Sequence, residues 1–462
     1  MKELTYDVAV IGGGSAGYAA GRSCAAQGLR TAIIEGAEEV GGLCILRGCM
    51  PTKALLYSAE VAHLARHAAT FGVFTKDVQV DYSFVKARKE RLIADFAGYR
   101  RKQLETGKFE FIRSRATFED PHTLILQDGR KLRAKNFILA TGSVTSKSPL
   151  PQLDEVGYIT SDEALALEKL PASLIVLGGG AIALEGGQFF NRMGTKVTII
   201  QRSKTFLKED DEDGVVQLEN ALKREGITIF TDTQLMGASL EGGLKVVEFS
   251  HRGQTVRVAA EEILYALGRS PNVEGLGLDR AGVAVEYGRF LTNSFMQTSA
   301  PHIFAAGDCT GLHEIVHIAI QQGEIAAHNI VNPDNMRAID YRLMISVIFT
   351  DPQVSRVGLT EKEALAKKIP YLAAKYPFND HGKSMIMEAL DGFVKLLAHP
   401  ETGEILGGSC IGPFGGDLLH EIVVAMSKRM TVHELATVPH YHPTLAEIWT
   451  YPAEELADQI KV

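Results

Sequence analysis

The chain has 462 residues, which is enough for about three domains at the usual size of roughly 150 residues each. It carries 48 basic and 56 acidic residues, a formal charge of -8, so neither a basic nucleic-acid footprint nor a polybasic membrane anchor is expected. Five cysteines are too few for a disulfide scaffold and indicate a reducing compartment. The N-terminal residues do not match the pattern of a signal peptide, and we therefore expect a soluble, cytoplasmic protein.

A strand–glycine–helix pattern occurs twice. Tyr6–Gly17 and Ala172–Ala183 each contain an apolar run, then glycines, then small residues at helical spacing. A second apolar run comes after each copy, at Thr31–Ile34 and at Val197–Ile200, and the copies stay in register without a gap. The repeat predicts two βαβ units that bind dinucleotides. The alternative is an α/β fold with tight turns and no nucleotide.

The first glycine turn contains Gly12, Gly14 and Gly17. Gly12 allows the tight turn, Gly14 lets the backbone approach a pyrophosphate, and Gly17 lets the helix pack closely on the strand. Glu35 ends the next predicted strand, where a carboxylate can accept hydrogen bonds from an adenosine ribose. The alternative for Glu35 is an ordinary surface carboxylate.

The second turn contains Gly178, Gly180 and Ala183, and the position equivalent to Glu35 is Gln201. Arg202 comes directly after it, and then a serine and a lysine. A carboxylate here would repel a 2′-phosphate, whereas arginine can pair with one in a bidentate manner. The sequence therefore favours NADP over NAD, unless Arg202 is merely exposed.

A cysteine pair lies beyond the first unit, with four residues between Cys44 and Cys49. At a distorted helix start, two cysteines at this spacing can close an intramolecular disulfide. A zinc site would need two further ligands at metal spacing, and the sequence offers none nearby. A pair of buried free thiols is the remaining alternative. We expect no metal site in the chain.

Four further segments share a recognisable pattern: Ile138–Gly142, Tyr265–Asn272, Ile303–Asp308 and His440–Glu447. Together with the two glycine turns and the cysteine segment, they resemble the class I pyridine nucleotide-disulfide oxidoreductases over essentially the whole chain. The resemblance is closest to the dihydrolipoamide dehydrogenases of that family, and some segments are similar to mercuric reductases.

The resemblance implies an α/β fold with two Rossmann-like dinucleotide-binding domains and a C-terminal α+β dimerisation domain. It implies an FAD-binding domain over 1–149 and 271–340, an NAD(P)-binding domain over 150–270 and a dimerisation domain over 341–462. A homodimer is also implied, because in this family the acid–base pair reaches across from the partner subunit.

The resemblance also implies residue roles. Cys49 resembles the thiol next to the flavin, and Cys44 resembles the interchange thiol that meets the substrate. Lys53 and Glu185 resemble the ion pair at the flavin position where hydride arrives. His442 and Glu447 resemble the acid–base dyad. Physically, a histidine can take and return the thiol proton while a carboxylate holds its other nitrogen.

Asp308 resembles the acid that holds the ribityl or pyrophosphate region of FAD. The complete set of expected cofactor-binding residues is Gly12, Gly14, Gly17, Glu35, Lys53, Thr141, Gly142, Asp308, Gly178, Gly180, Ala183, Arg202 and Gly268.

The function implied is an FAD-dependent dithiol/disulfide oxidoreductase that uses NADP or NAD, most closely a dihydrolipoamide dehydrogenase. Its partner is a small or protein-bound dithiol, with no nucleic acid and no membrane. One alternative is an NADPH-dependent reductase of another disulfide or metal ion, although no cysteine comes after Cys410 as it does in mercuric reductases. Others are a non-catalytic flavoprotein assembly or redox-sensing subunit, and a nicotinamide dehydrogenase without flavin.

The other cysteines, an acidic run and three histidines are not assigned to the redox chemistry. Cys24, Cys309 and Cys410 are expected to be packed small side chains rather than redox groups. The acidic run at Glu209–Asp213 is interpreted as a solvated helix start. The roles of His313, His317 and His440 stay open, with His440 either structural or an accessory site residue.

Overall fold

The computed structural model describes residues 4–461 of the chain. Its strands are β1 (Leu4–Ile11), β2 (Thr31–Glu35), β3 (Glu110–Arg113), β4 (Ala116–Asp120), β5 (Thr123–Leu126), β6 (Lys131–Leu139), β7 (Ser143–Thr145), β8 (Ser173–Leu177), β9 (Lys196–Ile200), β10 (Thr228–Phe230), β11 (Thr233–Glu241), β12 (Leu244–His251), β13 (Gln254–Ala260), β14 (Glu262–Tyr265), β15 (Arg269–Pro271), β16 (Val285–Glu286), β17 (Arg289–Phe290), β18 (Ile303–Ala305), β19 (Ile345–Ile348), β20 (Gln353–Gly358), β21 (Leu372–Pro377), β22 (Phe393–Ala398) and β23 (Ile405–Gly412).

Its α-helices are α1 (Ser15–Ala26), α2 (Gly42–Leu46), α3 (Cys49–His67), α4 (Tyr82–Glu105), α5 (Pro151–Val156), α6 (Ser161–Ala166), α7 (Ala181–Arg192), α8 (Glu212–Arg224), α9 (Leu278–Ala281), α10 (Val316–Val331), α11 (Glu361–Lys367), α12 (Gly382–Ile386), α13 (Gly415–Ser427), α14 (Val432–Ala436) and α15 (Thr450–Gln459). Among the described residues, none of these helices is long and apolar enough to cross a membrane.

Contacts divide the chain into two compact units. The first contains the described residues up to Leu55 together with Ser83–Lys147 and Gly268–Ile339, and the second contains Leu56–Tyr82, Ser148–Leu267 and the described residues from Asp340 onward. The division into three domains stays a prediction.

The first unit is built on one seven-stranded sheet. Its strands are ordered β3-β2-β1-β6-β5-β4, and β18 also pairs with β6. The pairs β1–β2, β2–β3, β1–β6 and β6–β18 are parallel, whereas β4 and β5 are antiparallel. Strand β1 is apolar and continuously buried over its C-terminal half, Val8–Ile11, as in parallel sheets covered on both faces. The predicted first βαβ unit, β1–α1–β2, is present.

The second unit contains the second copy of the repeat. Strands β8 and β9 pair in parallel within a four-stranded sheet ordered β10-β9-β8-β14, so β8–α7–β9 is the second βαβ unit. A three-stranded antiparallel sheet, β11-β12-β13, packs beside it around buried residues such as Val247 and Phe249. The sequence repeat therefore predicts both crossovers correctly.

The C-terminal part of the second unit is a five-stranded antiparallel sheet ordered β19-β20-β23-β22-β21. Helices α13 and α15 contribute buried side chains to the same core as this sheet. Trp449 is the largest fully buried side chain, and its Nε1–H donates to the Leu418 carbonyl oxygen at 3.0 Å. This anchor lies two residues beyond Glu447, so it fixes the segment that carries the predicted acid–base dyad.

The acidic run before α8 was predicted to be exposed to solvent, and the structure differs from that prediction. Helix α8 does begin within the run, but Asp211 and Asp213 hold the Lys395 ammonium at 3.2 and 2.8 Å, and Glu361 holds it at 2.7 Å. The Lys395 side chain is 2% exposed. A buried ammonium needs several carboxylate acceptors to offset its desolvation, and the run supplies two of them. Lys395 lies far from the run in sequence, so the charge pattern alone gives no sign of this pairing.

Candidate active site

The first glycine turn brings backbone, rather than side chains, to the N-terminus of α1. Gly12 has φ of +110°, and a Cβ at this position would lie 2.2 Å from the Ala140 carbonyl oxygen. A Cβ on Gly17 would lie 1.8 Å from the Gly12 carbonyl oxygen. Glycine is therefore required at both positions. The N-terminus of α1 has unpaired N–H groups that attract an anion.

The cysteine segment begins directly against this turn. A Cβ on Gly42 would lie 2.7 Å from Gly14 Cα, so two glycines face each other with no side chain between them. This arrangement brings the start of α2, and with it Cys44, close to the backbone that would hold a pyrophosphate. The two predicted sites of the first unit thus form one continuous region.

Glu35 is held by two backbone amides. Its Oε2 accepts from the Gly13 N–H at 2.8 Å, and its Oε1 accepts from the Ala37 N–H at 2.7 Å. A carboxylate has about four lone-pair directions, so both oxygens retain capacity for ribose hydroxyl donors. The carboxylate is fixed at the end of β2 beside the glycine turn, which is the geometry that ribose binding needs.

In the first unit, several hydrogen-bonded polar side chains lie around Asp308. The Ser143 hydroxyl donates to Asp308 Oδ2 at 2.8 Å, and Arg269 Nε donates to the same hydroxyl at 2.8 Å. Thr141 Oγ1 donates to the Asn272 carbonyl oxygen at 2.5 Å. The motifs that contain Thr141, Gly142, Gly268 and Asp308 therefore meet in the fold. Sequence reasoning did not single out Ser143 and Arg269, although each adjoins a residue that it did.

Cys44 and Cys49 are brought together at the boundary between α2 and α3. Cys49 is the first residue of α3, and the two partly buried side chains share a hydrogen bond between thiols. That hydrogen bond, burial and the charge on Cys49 raise the pKa of Cys44, and the nearby Lys53 opposes the shift. The pair therefore loses one proton much more readily than two. The helix N-terminus favours the thiolate at Cys49.

The second glycine turn repeats the first in backbone and differs in side chains. Gly178 has φ of +123°, and its Cβ would lie 2.3 Å from the Ala266 carbonyl oxygen. Ala183 is fully buried, so its methyl group fits where Gly17 has none. The Gln201 amide donates to the Thr205 carbonyl oxygen at 3.4 Å, and Arg202 is exposed beside it. The neutral amide of Gln201 thus occupies the position that corresponds to the Glu35 carboxylate of the first copy.

Glu185 lies on α7 and is 3% exposed. Its Oε1 accepts from the Phe349 N–H at 2.9 Å. A buried carboxylate needs such donors, and this one is contributed by a strand end that sequence reasoning did not connect with α7. The ion pair between Lys53 and Glu185 stays a prediction.

The predicted acid–base dyad forms within the C-terminal part of the second unit. His442 Nδ1 lies 3.0 Å from Glu447 Oε2, and Glu447 is buried whereas the His442 side chain is 79% exposed. The imidazole therefore presents its other nitrogen outward. His381, which sequence reasoning missed, lies on the opposite oxygen of the same carboxylate, with Nε2 3.5 Å from Glu447 Oε1.

His440 is held at both ring nitrogens. Nδ1 lies 2.8 Å from the Val438 carbonyl oxygen, and Nε2 lies 2.6 Å from Glu421 Oε1. Both ring nitrogens are therefore engaged within the subunit. Its contacts are those of a structural residue that positions the chain two residues before His442.

The other cysteines are packed inside the protein. Cys24, Cys309 and Cys410 are each 0% exposed. Burial raises the pKa of Cys24 to about 12 and that of Cys309 to about 11, and it also raises the pKa of Cys410. A thiol that resists ionisation is a poor nucleophile. These contacts agree with their predicted role as small packed side chains.

One cluster within residues 4–461 has the ligand types of a metal site. His63, Glu225 and Asp351 place ligand atoms within 4.8 Å of one another. The Arg192 guanidinium, however, lies 2.6 Å from Glu225 and 2.7 Å from Asp351. This buried cation already pairs with both carboxylates and would repel a metal ion, so we interpret the cluster as an ion-pair network.

Comparison with known proteins matches both parts of the chain to family models. Residues 6–323 match the model described as pyridine nucleotide-disulphide oxidoreductase, and residues 344–453 match the dimerisation domain of the same family. The dihydrolipoyl dehydrogenases of Bacillus subtilis and Thermus scotoductus are each 35% identical, over 96% and 98% of both chains respectively.

Solved structures agree with this match. LpdA from Mycobacterium tuberculosis has a TM-score of 0.88 at 26% identity and covers 98% of this chain and 99% of its own. The Cu(II) complex of the HOCl-induced flavoprotein disulfide reductase RclA from Escherichia coli has a TM-score of 0.87 at 25% identity, over 98% of this chain and 100% of its own. The expected α/β fold with nucleotide-binding and dimerisation parts is confirmed.

Proposed function

Since this chain belongs to the pyridine nucleotide-disulphide oxidoreductases and is an FAD-dependent disulfide oxidoreductase, we propose that it oxidises a dihydrolipoyl dithiol with a pyridine nucleotide as acceptor. The contact between the Cys44 and Cys49 thiols carries this proposal, because two adjacent thiols at a helix N-terminus are what dithiol–disulfide exchange requires. The names of the relatives support the dihydrolipoyl group as substrate.

The residues of the first unit suit FAD, because the facing glycines leave room for a pyrophosphate beside Glu35. We assign the pyrophosphate to Gly12, Gly14 and Gly17, the ribose to Glu35, and the ribityl region to Asp308. When bound, FAD supplies the two-electron relay between the nicotinamide and the cysteine pair.

The exchange step begins at Cys44. A substrate thiolate attacks Cys44 Sγ of the Cys44–Cys49 disulfide, the S–S bond breaks, and Cys49 leaves as a thiolate. The second thiolate of the substrate then attacks the substrate sulfur that is bonded to Cys44 in the mixed disulfide. Cys44 leaves as a thiolate. The substrate loses two electrons and the cysteine pair gains them. The N-terminus of α3 stabilises the Cys49 thiolate.

We assign proton transfer to the dyad of His442 and Glu447. In the homodimer, which the dimerisation domain supports, we propose that the partner subunit's His442 takes the substrate thiol proton at Nε2. Glu447 holds Nδ1 at 3.0 Å and stabilises the imidazolium that forms. The high exposure of His442 in one subunit supports this assignment, because the ring projects away from its own unit.

We propose NADP as the preferred pyridine nucleotide. Gln201 replaces the carboxylate found at the equivalent strand end of the first copy, and the exposed Arg202 can meet a 2′-phosphate. A guanidinium pairs with phosphate through two parallel hydrogen bonds, so this contact would contribute on the order of 1.5–3 kcal/mol.

Anaerobic turnover of dihydrolipoamide with NAD⁺ and, in parallel, with NADP⁺ tests the proposal. We expect turnover with both, faster at limiting NADP⁺, no turnover in Cys44→Ser, and full turnover in the matched control Cys410→Ser. Absence of dihydrolipoamide turnover, with rapid flavin reduction by NADPH, would overturn the dihydrolipoyl substrate. The result would favour an NADPH-dependent reductase of another disulfide.

A further inference from the structure

One carboxylate in the second unit faces two imidazoles. Glu447 Oε2 lies 3.0 Å from His442 Nδ1, and Glu447 Oε1 lies 3.5 Å from His381 Nε2. The two rings could hardly differ more in exposure, because the His442 side chain is 79% exposed and the His381 side chain is 0% exposed. The exchange mechanism uses His442 and Glu447 and leaves the buried ring without a role.

The contacts of His381 are compatible with a proton on Nε2. Nδ1 lies 2.8 Å from the Ser384 hydroxyl, which can donate to it and leave a proton on Nε2. Burial lowers the pKa of His381, the charge of Glu447 opposes this shift, and His442 adds to it. Tyr451 packs edge-on against the ring with centroids 6.3 Å apart. These surroundings favour a neutral ring with an Nε2–H.

His381 Nε2 makes no hydrogen bond of ordinary length in the part of the chain that the structure describes. Glu447 Oε1 lies 3.5 Å from Nε2, just beyond ordinary hydrogen-bonding distance, where its charge and a weak hydrogen bond act to raise the pKa of His381. An unmade hydrogen bond on a buried donor costs about 1–3 kcal/mol, so such a group calls for an explanation. Catalytic hydrogen bonds are often long before ligands bind and shorten in the reacting complex.

We propose that His381 is a positioning residue of the acid–base dyad, which donates its Nε2–H to Glu447 Oε1 and thereby holds Oε2 against His442 Nδ1. This inference rests on the proposed function. The buried ring fixes the carboxylate, and the carboxylate fixes the tautomer of His442 with the proton on Nδ1. The outward Nε2 of His442 is then the nitrogen that accepts the substrate proton.

Two substitutions separate this role from plain packing. His381→Leu fills the site without a donor, and His381→Gln restores an N–H donor of similar reach. His433→Leu is the matched control, because His433 is a partly buried histidine whose Nδ1 also lacks a partner and whose Nε2 lies 2.8 Å from the Ile460 carbonyl oxygen.

In dithiol turnover, we expect His381→Leu to lower kcat by about tenfold or more, with KM changed less than about twofold, because proton transfer depends on orientation. His381→Gln should recover most of kcat. Reduction of the flavin by NAD(P)H should not change in either variant. An equal loss in His433→Leu, or no loss in His381→Leu, would overturn the proposal.

Nitrogen-15 NMR of histidine-labelled holoenzyme at alkaline pH gives a readout that packing alone would not change. Neutral His442 should carry its proton on Nδ1 in the wild-type protein and in His381→Gln, and shift toward the Nε2–H tautomer in His381→Leu. An unchanged tautomer would contradict the proposal. This measurement needs no substrate, so it stays decisive even if the wild-type enzyme does not turn over dihydrolipoamide.

Discussion

The two glycine turns have the same backbone conformation, but the side chains at the adjoining strand ends differ in charge. Gly12 and Gly178 occupy the same left-handed region, with φ of +110° and +123°, and each would place a Cβ within 2.3 Å of a carbonyl oxygen. Glu35 ends β2 as a carboxylate fixed by two amides, whereas Gln201 comes after β9 as a neutral amide. Both turns therefore leave the same backbone space for a phosphate, and the strand-end side chain is the difference on which the proposed nucleotide assignments rest.

The copies also differ in their packing and in the segments that come after them. Gly17 has no space for a methyl group, whereas Ala183 fits one at the equivalent place. The first copy leads into the cysteine pair, and the second leads into the acidic run around Lys395. The same supersecondary unit thus leads into a cysteine pair in one copy and into a buried ion-pair network in the other.

The largest expected effect comes from exchanging the third residue of the motif. Gly17→Ala would force a methyl group to within 1.8 Å of the Gly12 carbonyl oxygen, so we expect protein purified without flavin colour. Ala183→Gly should keep the flavin and cost about 1 kcal/mol of stability, as glycine does within a helix. Flavin absorbance and thermal unfolding measure both. A fully flavinated Gly17→Ala protein would contradict the close packing assigned to the first turn.

Lys395→Met tests the segment that comes after the second copy. Burial lowers the pKa of Lys395, but hydrogen bonds to Asp213 and Glu361 and the charge of Asp211 raise it overall, so the ammonium is charged at neutral pH. Its removal leaves Asp211 and Glu361 without this buried cation, whereas Asp213 keeps Lys375 at 3.2 Å, and we expect a loss of about 3 kcal/mol in the free energy of unfolding. Urea denaturation measures this loss.

The matched control for Lys395→Met is Lys223→Met, because Lys223 pairs with Glu219 on an exposed face of α8. That substitution should cost less than about 0.5 kcal/mol. Equal effects of the two substitutions would show that the Lys395 cluster is no more important than a surface pair. Flavin content should be normal in both variants.

A reciprocal exchange of strand-end residues tests the chemistry assigned to each copy. Glu35→Gln removes the carboxylate from the proposed FAD ribose site, and we expect FAD affinity to fall by about 10- to 100-fold. Gln201→Glu with Arg202→Ala should lower kcat/KM for NADPH by a similar factor and leave that for NADH within about threefold. The exposed Lys208, changed to alanine, is the control. An unchanged NADPH/NADH ratio would exclude Arg202 as the determinant.

The smallest effect concerns pH. Burial raises the pKa of Asp210 to about 6, outweighing the opposing charge of Arg356 at 3.2 Å. The folded carboxyl then binds a proton at pH values where the unfolded one has lost it. Its contribution should therefore decrease as the pH rises from about 4 to 6, because the unfolded state binds fewer protons there. Asp210→Asn should remove this slope from a series of denaturation curves, and an unchanged slope would contradict the assignment.

Local features of the site were predictable from sequence, and long-range ones were not. The glycine turns, the Cys44–Cys49 pair and the dyad of His442 and Glu447 all lie within short segments whose geometry depends on local structure. His381 precedes Glu447 by 66 residues and has no motif around it. Its position depends on how β21 and α15 pack, and single-sequence patterns do not encode that packing.

The same distinction holds for the fold. Hydrophobic runs next to glycine turns predicted both parallel βαβ units, because parallel strands that are buried on both faces are apolar over most of their length. The acidic run around Asp211 was assigned to solvent, since nothing nearby in sequence indicates the buried ammonium of Lys395, 184 residues away. Charge pairs between distant segments become visible only when the sheet order is known.

The most direct test of a redox-active disulfide counts reactive cysteines by alkylation and peptide mass analysis of the native holoenzyme, before and after anaerobic reduction with NADPH. We expect Cys44 and Cys49 to become alkylated only after reduction, Cys44 first, whereas the buried Cys24, Cys309 and Cys410 stay unmodified in both states. Alkylation of Cys44 and Cys49 in the oxidised enzyme, or their failure to react after flavin reduction, would contradict a redox-active disulfide.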